Sequence, residues 1–188
     1  MIIAKFKHDG QTTTAQIPAN WDEMKVRHYL AIETTKNPLE LMALLSDVDL
    51  TKVLNTKTDL TPVLSKLVEL LNSELPDFKT KPRRTFEIDG KTVKIPSDFN
   101  GVTFGQSAMI ETYLSQTGGD ERKAILQIMG VILQPLLDKG VFDLERAKHF
   151  ETLAGDLPIK TVFPNVFFFW TVLKNYIIIG GVNSMLSR

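Results

Sequence analysis

Apolar and polar positions alternate with a period of two at the start of the chain. Ile2, Ala4 and Phe6 fall on one side, and Ile3, Lys5 and Lys7 on the other, the pattern of a half-buried strand. Asp9-Gly10 predicts a tight hairpin turn, because glycine accepts the positive φ that such turns require. Thr12 to Ile17 is rich in threonine and returns as the partner strand. Pro18 ends the ladder, since it has no N–H to donate. Asn20 with Glu23 has capping-box spacing, and Trp21, Met24, Val26, Tyr29, Leu30 and Ile32 supply the apolar positions of a helix over residues 21–34.

Helical periodicity dominates the chain beyond Thr35. Asn37-Pro38 opens a helix through LELMALL, proline being well accepted in a first turn. Two Asp-Leu-Thr segments predict helices over 50–55 and 61–73, each with an Asp or Thr as its cap. In the second helix Val63, Leu64, Leu67, Leu70 and Leu71 form one stripe. Further on, Thr103 with Gln106 repeats the capping-box spacing and leads a helix to Leu114. Gly118-Gly119 breaks the chain. Asp120 is expected to cap a helix that is apolar on nearly all sides through Leu133, which Pro135 ends or kinks. Asp143 begins another, from Leu144 to Leu153.

The chain also repeats itself. Ile17-Pro18, Trp21, Met24, Val26 and Glu33 match Ile95-Pro96, Phe99, Val102, Phe104 and Glu111 at one constant offset. Asp9-Gly10 corresponds to Asp89-Gly90 if the first hairpin loop is two residues longer. Thr85 to Ile88 and Lys91 to Ile95 flank Asp89-Gly90 as a second hairpin. The expected fold is therefore α+β, mostly helical, with two β-hairpins in pseudo-duplicated hairpin-plus-helix halves. One domain over residues 1–188 is expected, with internal halves at 1–82 and 83–188. Trp21 and Phe99 are expected in equivalent packing positions.

Composition narrows the chemistry. The 188 residues are 43% hydrophobic and 23% charged, with 22 basic and 22 acidic side chains. These are the proportions of a globular domain with no global field toward nucleic acid or anionic membrane. Without cysteine there is no disulfide, thiolate metal site or cysteine nucleophile. MIIAKFKHDG has no apolar run of signal-peptide length, so no secretion is expected. His8, His28 and His149 stand apart, with no second ligand at metal-binding spacing. His8 is expected in the hairpin turn and His28 on a solvent face. Gly101 to Gly105 and Gly180-Gly181 lack the strand and Lys-Ser/Thr of a phosphate loop. Asp22-Glu23 and Asp120-Glu121 lie at helix starts, where carboxylates complement the dipole more often than they catalyse. No catalytic residue, metal ligand or cofactor fingerprint emerges, and no cofactor is expected.

Two stretches remain as candidate contact surfaces. Lys79, Lys81, Arg83 and Arg84 form the basic cluster, read as a phosphate contact or, more plainly, as a solvated linker. Val162 to Gly181 reads VFPNVFFFWTVLKNYIIIGG, with Asn165 expected to cap a helix from Val166 to Ile179. It falls short of the run of about 20 apolar residues a bilayer needs, and Lys174-Asn175 would sit near its middle. A core helix is the plainer reading. Yet the segment offers more apolar surface than one stripe can bury, so Phe167, Phe168, Phe169, Trp170 and Tyr176 join Trp21 and Phe99 as candidate interface residues.

The pattern IPANWDEMKVRHYLAIE, the leucine-rich short helices, the second copy IPSDFNGVTFGQSAMIETYL and the late FFFW helix resemble tailed-bacteriophage proteins. The likeness is to tail-assembly chaperones and small head–tail proteins of the Bacteroidetes-phage type. It spans most of the chain and brings no catalytic residues. It implies a non-enzymatic role in particle assembly, as a virion structural component or a tail-assembly chaperone. The partners would be other phage structural or assembly proteins or further copies of the chain, without a membrane, in the virion or the host cytoplasm during assembly. The alternative is a nucleic-acid-associated protein packaged with the phage genome, which requires the Lys79–Arg84 cluster. A third reading, an enzyme, requires a deep pocket holding Glu111, Asp120 or His149.

Overall fold

A computed structural model describes residues 1–74, 76, 84–88, 90–95, 102–138, 140–169 and 171. The chain is α+β and mostly helical, with two separate two-stranded antiparallel sheets. It divides into two compact units, Met1–Asp77 and Phe78–Arg188.

In the first unit, β1 (Ile2–His8) pairs with β2 (Gln11–Ile17) from Ile2↔Ile17 to His8↔Gln11. Asp9 and Gly10 fill the turn with φ of 50° and 73°, the two positive values that a type I′ hairpin requires. Ile2, Ala4, Phe6, Ala15 and Ile17 are buried on one face. The outer edge of β1 is covered by a loop: Lys7 N–H donates to Thr56 Oγ1 at 2.8 Å, and its carbonyl accepts from Lys57 N at 3.0 Å. A hairpin left with a bare edge would be a template for further pairing.

The continuous helix expected over 21–34 is broken in two. Residues Trp21–Glu23 form a 3-10 turn, Met24 is extended (φ −72°, ψ 135°), and α1 runs Val26–Thr34. The cause lies in packing. Met24 and Val26 are both fully buried, yet positions two apart on a helix face different ways. Breaking the helix at Met24 sends both side chains inward. His28 differs from expectation as well: it is 5% exposed, and its Nδ1 accepts the Lys25 N–H at 3.4 Å, completing the start of α1. Asn20 does cap the 3-10 turn, accepting from Glu23 N. The Glu23 carboxylate accepts from Ala19 N at 2.8 Å and pairs with the Met1 ammonium at 2.7 Å. These contacts, the Ala19 N–H foremost, hold that carboxyl below its usual range.

Three helices complete the unit. The Asn37 side chain accepts from Leu39 and Glu40 N to start α2 (Pro38–Ser46), which ends where Asp47 turns left-handed at φ 53°. Asp49 caps α3 (Leu50–Leu54) through Thr51 N at 2.8 Å. In α4 (Thr61–Asn72), Val63, Leu67 and Leu70 face the core.

The second unit opens with β3 (Thr85–Ile88) and β4 (Lys91–Lys94), extended by a bond of 2.7 Å from Ile95 N to the Arg84 carbonyl. Both hairpins have two-residue turns, so the expected longer first loop is not found. The two extra residues lie in the returning limb instead, between Gly10 and Ile17, and Ile17 and Ile95 are both buried. The repeat is not matched in burial further on. Val26 is fully buried, whereas its counterpart Phe104 is 89% exposed. Phe99, the counterpart of Trp21, lies outside the described residues.

Helices α5 (Phe104–Gln116), α6 (Ile125–Asp138), α7 (Leu144–Gly155) and α8 (residues 159–169) build the core of this unit. Residues 128–134 of α6 are buried without interruption. A Cβ on Gly130 would lie 2.6 Å from the Ala147 carbonyl oxygen and 2.8 Å from Glu151 Cγ, so α6 and α7 meet at a distance that only glycine permits. Pro135 does not end α6; the helix continues to Asp138. Proline withholds the N–H that would satisfy the carbonyl four residues earlier, here that of Val131. Gln106 of α5 supplies the donor from its side chain: Nε2 reaches Val131 O at 3.0 Å. The same side chain accepts from Thr103 N at 3.0 Å, while Thr103 Oγ1 accepts from Gln106 N, closing the capping box.

The late aromatic helix also starts elsewhere than expected. Asn165 is not its cap. The helix is under way by residue 159, with Thr161 and Val162 N bonded to the Pro158 carbonyl, and Asn165 is fully buried inside it, donating from Nδ2 to Thr161 O at 2.6 Å. Proline is well suited to a helix start, and this one claims the aromatic segment earlier.

Two measurements check this packing. Gln106→Ala lowers urea-derived stability by about 1–3 kcal/mol, the cost of orphaning a buried carbonyl. The loss shrinks in a Pro135→Ala background, where a backbone N–H returns; an equal loss in both backgrounds would refute the link. Burial pushes the Glu151 carboxyl up, with Lys148 pulling the other way. A folded-state pKa above the unfolded one means that stability is full in acid and is lost as pH rises through the folded value. Glu151→Gln is therefore more stable than wild type at pH 7, and the difference disappears below the ordinary glutamate range. A difference that did not vary with pH would contradict this.

Candidate interaction surfaces

Of the interface candidates, Trp21, Phe167, Phe168 and Phe169 lie among the described residues; Phe99, Trp170 and Tyr176 lie outside them. Trp21 is half-buried, and its Nε1 donates to Ser73 Oγ at 2.9 Å just beyond α4. Ser73 Oγ passes the bond on to Leu70 O at 2.6 Å. The indole thus ties the 3-10 turn to the end of α4 and leaves part of its ring at the surface of the first unit.

In the second unit α8 buries Val162, Phe163, Val166 and Phe169 along one stripe, with the spacing of a core-facing helix. Phe167 and Phe168 flank that stripe and stay half-exposed. Phe163 meets Phe167 at a tilt with centroids 6.1 Å apart, and Phe168 meets Phe169 edge-on at 5.7 Å. Lys79, Lys81 and Arg83 lie outside the described residues. Arg84 holds its guanidinium 5.4 Å from the centre of the Phe168 ring, an attraction between a cation and the negative face of the ring.

Among the described residues, apolar side chains are most open at a third place. Phe104 is 89% and Val141 88% exposed, and their neighbours touch: a Cβ on Gly105 would meet Phe142 Cδ1 at 3.3 Å. The corner is braced from beneath. Gln106 binds Val131, and the fully buried Gln134 accepts from Asp143 N at 3.0 Å while its Nε2 lies 3.4 Å from Val141 O.

Two hollows accompany these surfaces. In the first unit, Ala43, Leu44, Val48 and Leu50 line a shallow depression between α2 and α3, rimmed by Glu40, Asp47 and Asp49. Two of its acids are engaged: Asp47 pairs with Arg27 at 2.6 Å, and the Thr51 hydroxyl and N–H hold the Asp49 carboxyl below its usual range. In the second unit, a cleft of about 310 Å³ lies between the hairpin, the end of α6 and one face of α7. Ile88, Leu137, Phe150 and Leu153 give it apolar walls; Lys91, Asp138, Arg146 and His149 are its polar members. Asp138 Oδ1 pairs with Arg146 at 2.9 Å, and its Oδ2 lies 3.3 Å from Gln134 Nε2.

Neither Glu111 nor Asp120 lines that cleft, so it does not bring His149 together with either carboxylate. Asp120 is engaged locally, accepting from Arg122 N at 3.1 Å. Among the described residues no group of three histidine, aspartate or glutamate side chains could hold one metal ion, and no helix is long and apolar enough to cross a membrane. No known protein family, curated protein or solved structure matches the chain.

Trp21→Phe, which removes the indole N–H, lowers urea-derived stability by about 0.5–1.5 kcal/mol, the net worth of one hydrogen bond. Once Ser73 is alanine the same substitution costs less. Equal losses in the two backgrounds would show that the bond carries nothing.

Proposed function

We propose that the protein is a non-enzymatic protein–protein interaction module in tailed-phage particle assembly, either a virion structural component or a tail-assembly chaperone. The observation that carries the interaction reading is the braced apolar corner at Phe104 and Val141. Two large apolar side chains stand almost wholly in solvent on a backbone fixed by buried glutamine bonds. A rigid, desolvation-ready surface of this kind loses little conformational freedom when a partner covers it. The phage assignment rests on the resemblance carried by the Ile-Pro-x-x-Trp and FFFW segments. The partners are other phage structural or assembly proteins.

The test is sedimentation of the native protein from infected cells, with mass spectrometry of whatever travels with it. Co-sedimentation with particles at fixed stoichiometry is the outcome expected of a virion component, and a light complex with one phage protein that of a chaperone. Recovery free of any phage protein in all fractions would overturn the proposal. Recovery only with nucleic acid would replace it with the genome-associated alternative.

A further inference from the structure

We infer that the cleft between the β3–β4 hairpin and α7 receives an acidic, apolar-tipped peptide segment of a partner protein, its carboxylate meeting Lys91 and its apolar side chains lying against Phe150 and Leu153. The inference rests on the proposed interaction role and names the chemistry of a partner. Shape sets the size of the occupant. A cleft of about 310 Å³ lies at the small end of ligand sites and holds a few side chains rather than a folded surface. Its walls set the character: Ile88 and Phe150 are 5% and 7% exposed, and Leu137 and Leu153 are half-buried.

Charge then sets the sign. Four of the lining residues are polar or charged, but Asp138 is already balanced by Arg146 and bonded by Gln134. Lys91 has no ion-pair partner among the described residues, and His149, exposed on the same lining, meets Phe150 edge-on with centroids 5.4 Å apart. The remaining field is positive above an apolar floor. A basic segment would meet Lys91 unfavourably, and a wholly apolar one would bring it no counter-charge. Phe104 and Val141 are not among the lining residues, so the cleft adds recognition that the apolar corner does not supply.

The experiment titrates the isotopically labelled full chain with acetyl-Leu-Phe-Asp-Leu-amide and, separately, with its Asn and Lys counterparts, reading backbone amide resonances. The expected result is saturable shifts at Ile88, Lys91, His149 and Leu153 with the Asp peptide, weaker with Asn and weakest with Lys. Lys91→Glu reverses the Asp-over-Lys order, and Lys91→Gln, which keeps the strand surface polar, lowers Asp-peptide affinity about five-fold, as expected for an exposed charge contact. Equal response to the three peptides, shifts confined to other residues, or no shift at all would overturn the inference. Sedimentation of the Lys91→Glu protein separates its failure from that of the proposed role. If wild type and variant travel equally with phage proteins, the role stands and the cleft is not the contact. If wild type travels with none, the role itself has failed.

Discussion

The second unit depends on one place where a side chain would not fit. Gly130 lets the backbone of α6 come against the Ala147 carbonyl on α7, and a methyl group there would collide with that main-chain oxygen, which cannot swing aside, as well as with the Glu151 side chain. Close packing of this kind transmits position faithfully. Because the helices meet so closely, Gln134 on the next turn of α6 reaches the Asp143 N–H that begins α7, and Asp138 reaches Arg146. The cleft inherits its geometry from that contact, since Leu137 and Asp138 come from one helix and Arg146, His149, Phe150 and Leu153 from the other. Glu151 occupies the crowded side of the same crossing, and burial raises its carboxyl.

Local chemistry was legible in the sequence. Asn20, Asn37, Asp49, Thr103 and Asp143 all act at helix starts as their spacing suggests, because a cap involves only the next few residues. The buried character of α6 is written in its apolar run from Ile128 to Leu133. Asp9-Gly10 closes the first hairpin as its residue types suggest, since the backbone such a turn needs is set by two residues. Where tertiary contacts compete, the pattern gave less. Met24 and Val26 share a helical stretch of sequence but both belong to the core, and the helix gives way. His28 looks polar and solvent-facing but serves the N-terminus of α1. Asn165 has the chemistry of a cap, yet Pro158 begins α8 sooner.

The candidate sites show the same division. The aromatic segment stood out by composition, but which of its rings face outward depends on where α8 starts, so Phe169 joins the core while Phe168 stays half-exposed under Arg84. The cleft gave almost no sign, because Lys91 on the hairpin and Arg146 on α7 are joined only by folding; His149 was noticed, but without its neighbours. The bond from Gln106 to Val131 crosses from one helix to another. Its signal was indirect: a proline inside an apolar helix leaves a carbonyl that some neighbour must satisfy.

From turn to buried isoleucine, the returning limb of the second hairpin (Lys91–Ile95) is two residues shorter than that of the first (Gln11–Ile17), and Ile17 and Ile95 are both buried. Strand side chains alternate strictly between faces. The chain can therefore grow or shrink here only in even steps. A single residue inserted directly after Gly10 would carry Thr14 and Gln16 toward the core and turn Ala15 outward, inverting β2 against an unchanged β1, whereas a pair would pass almost unnoticed.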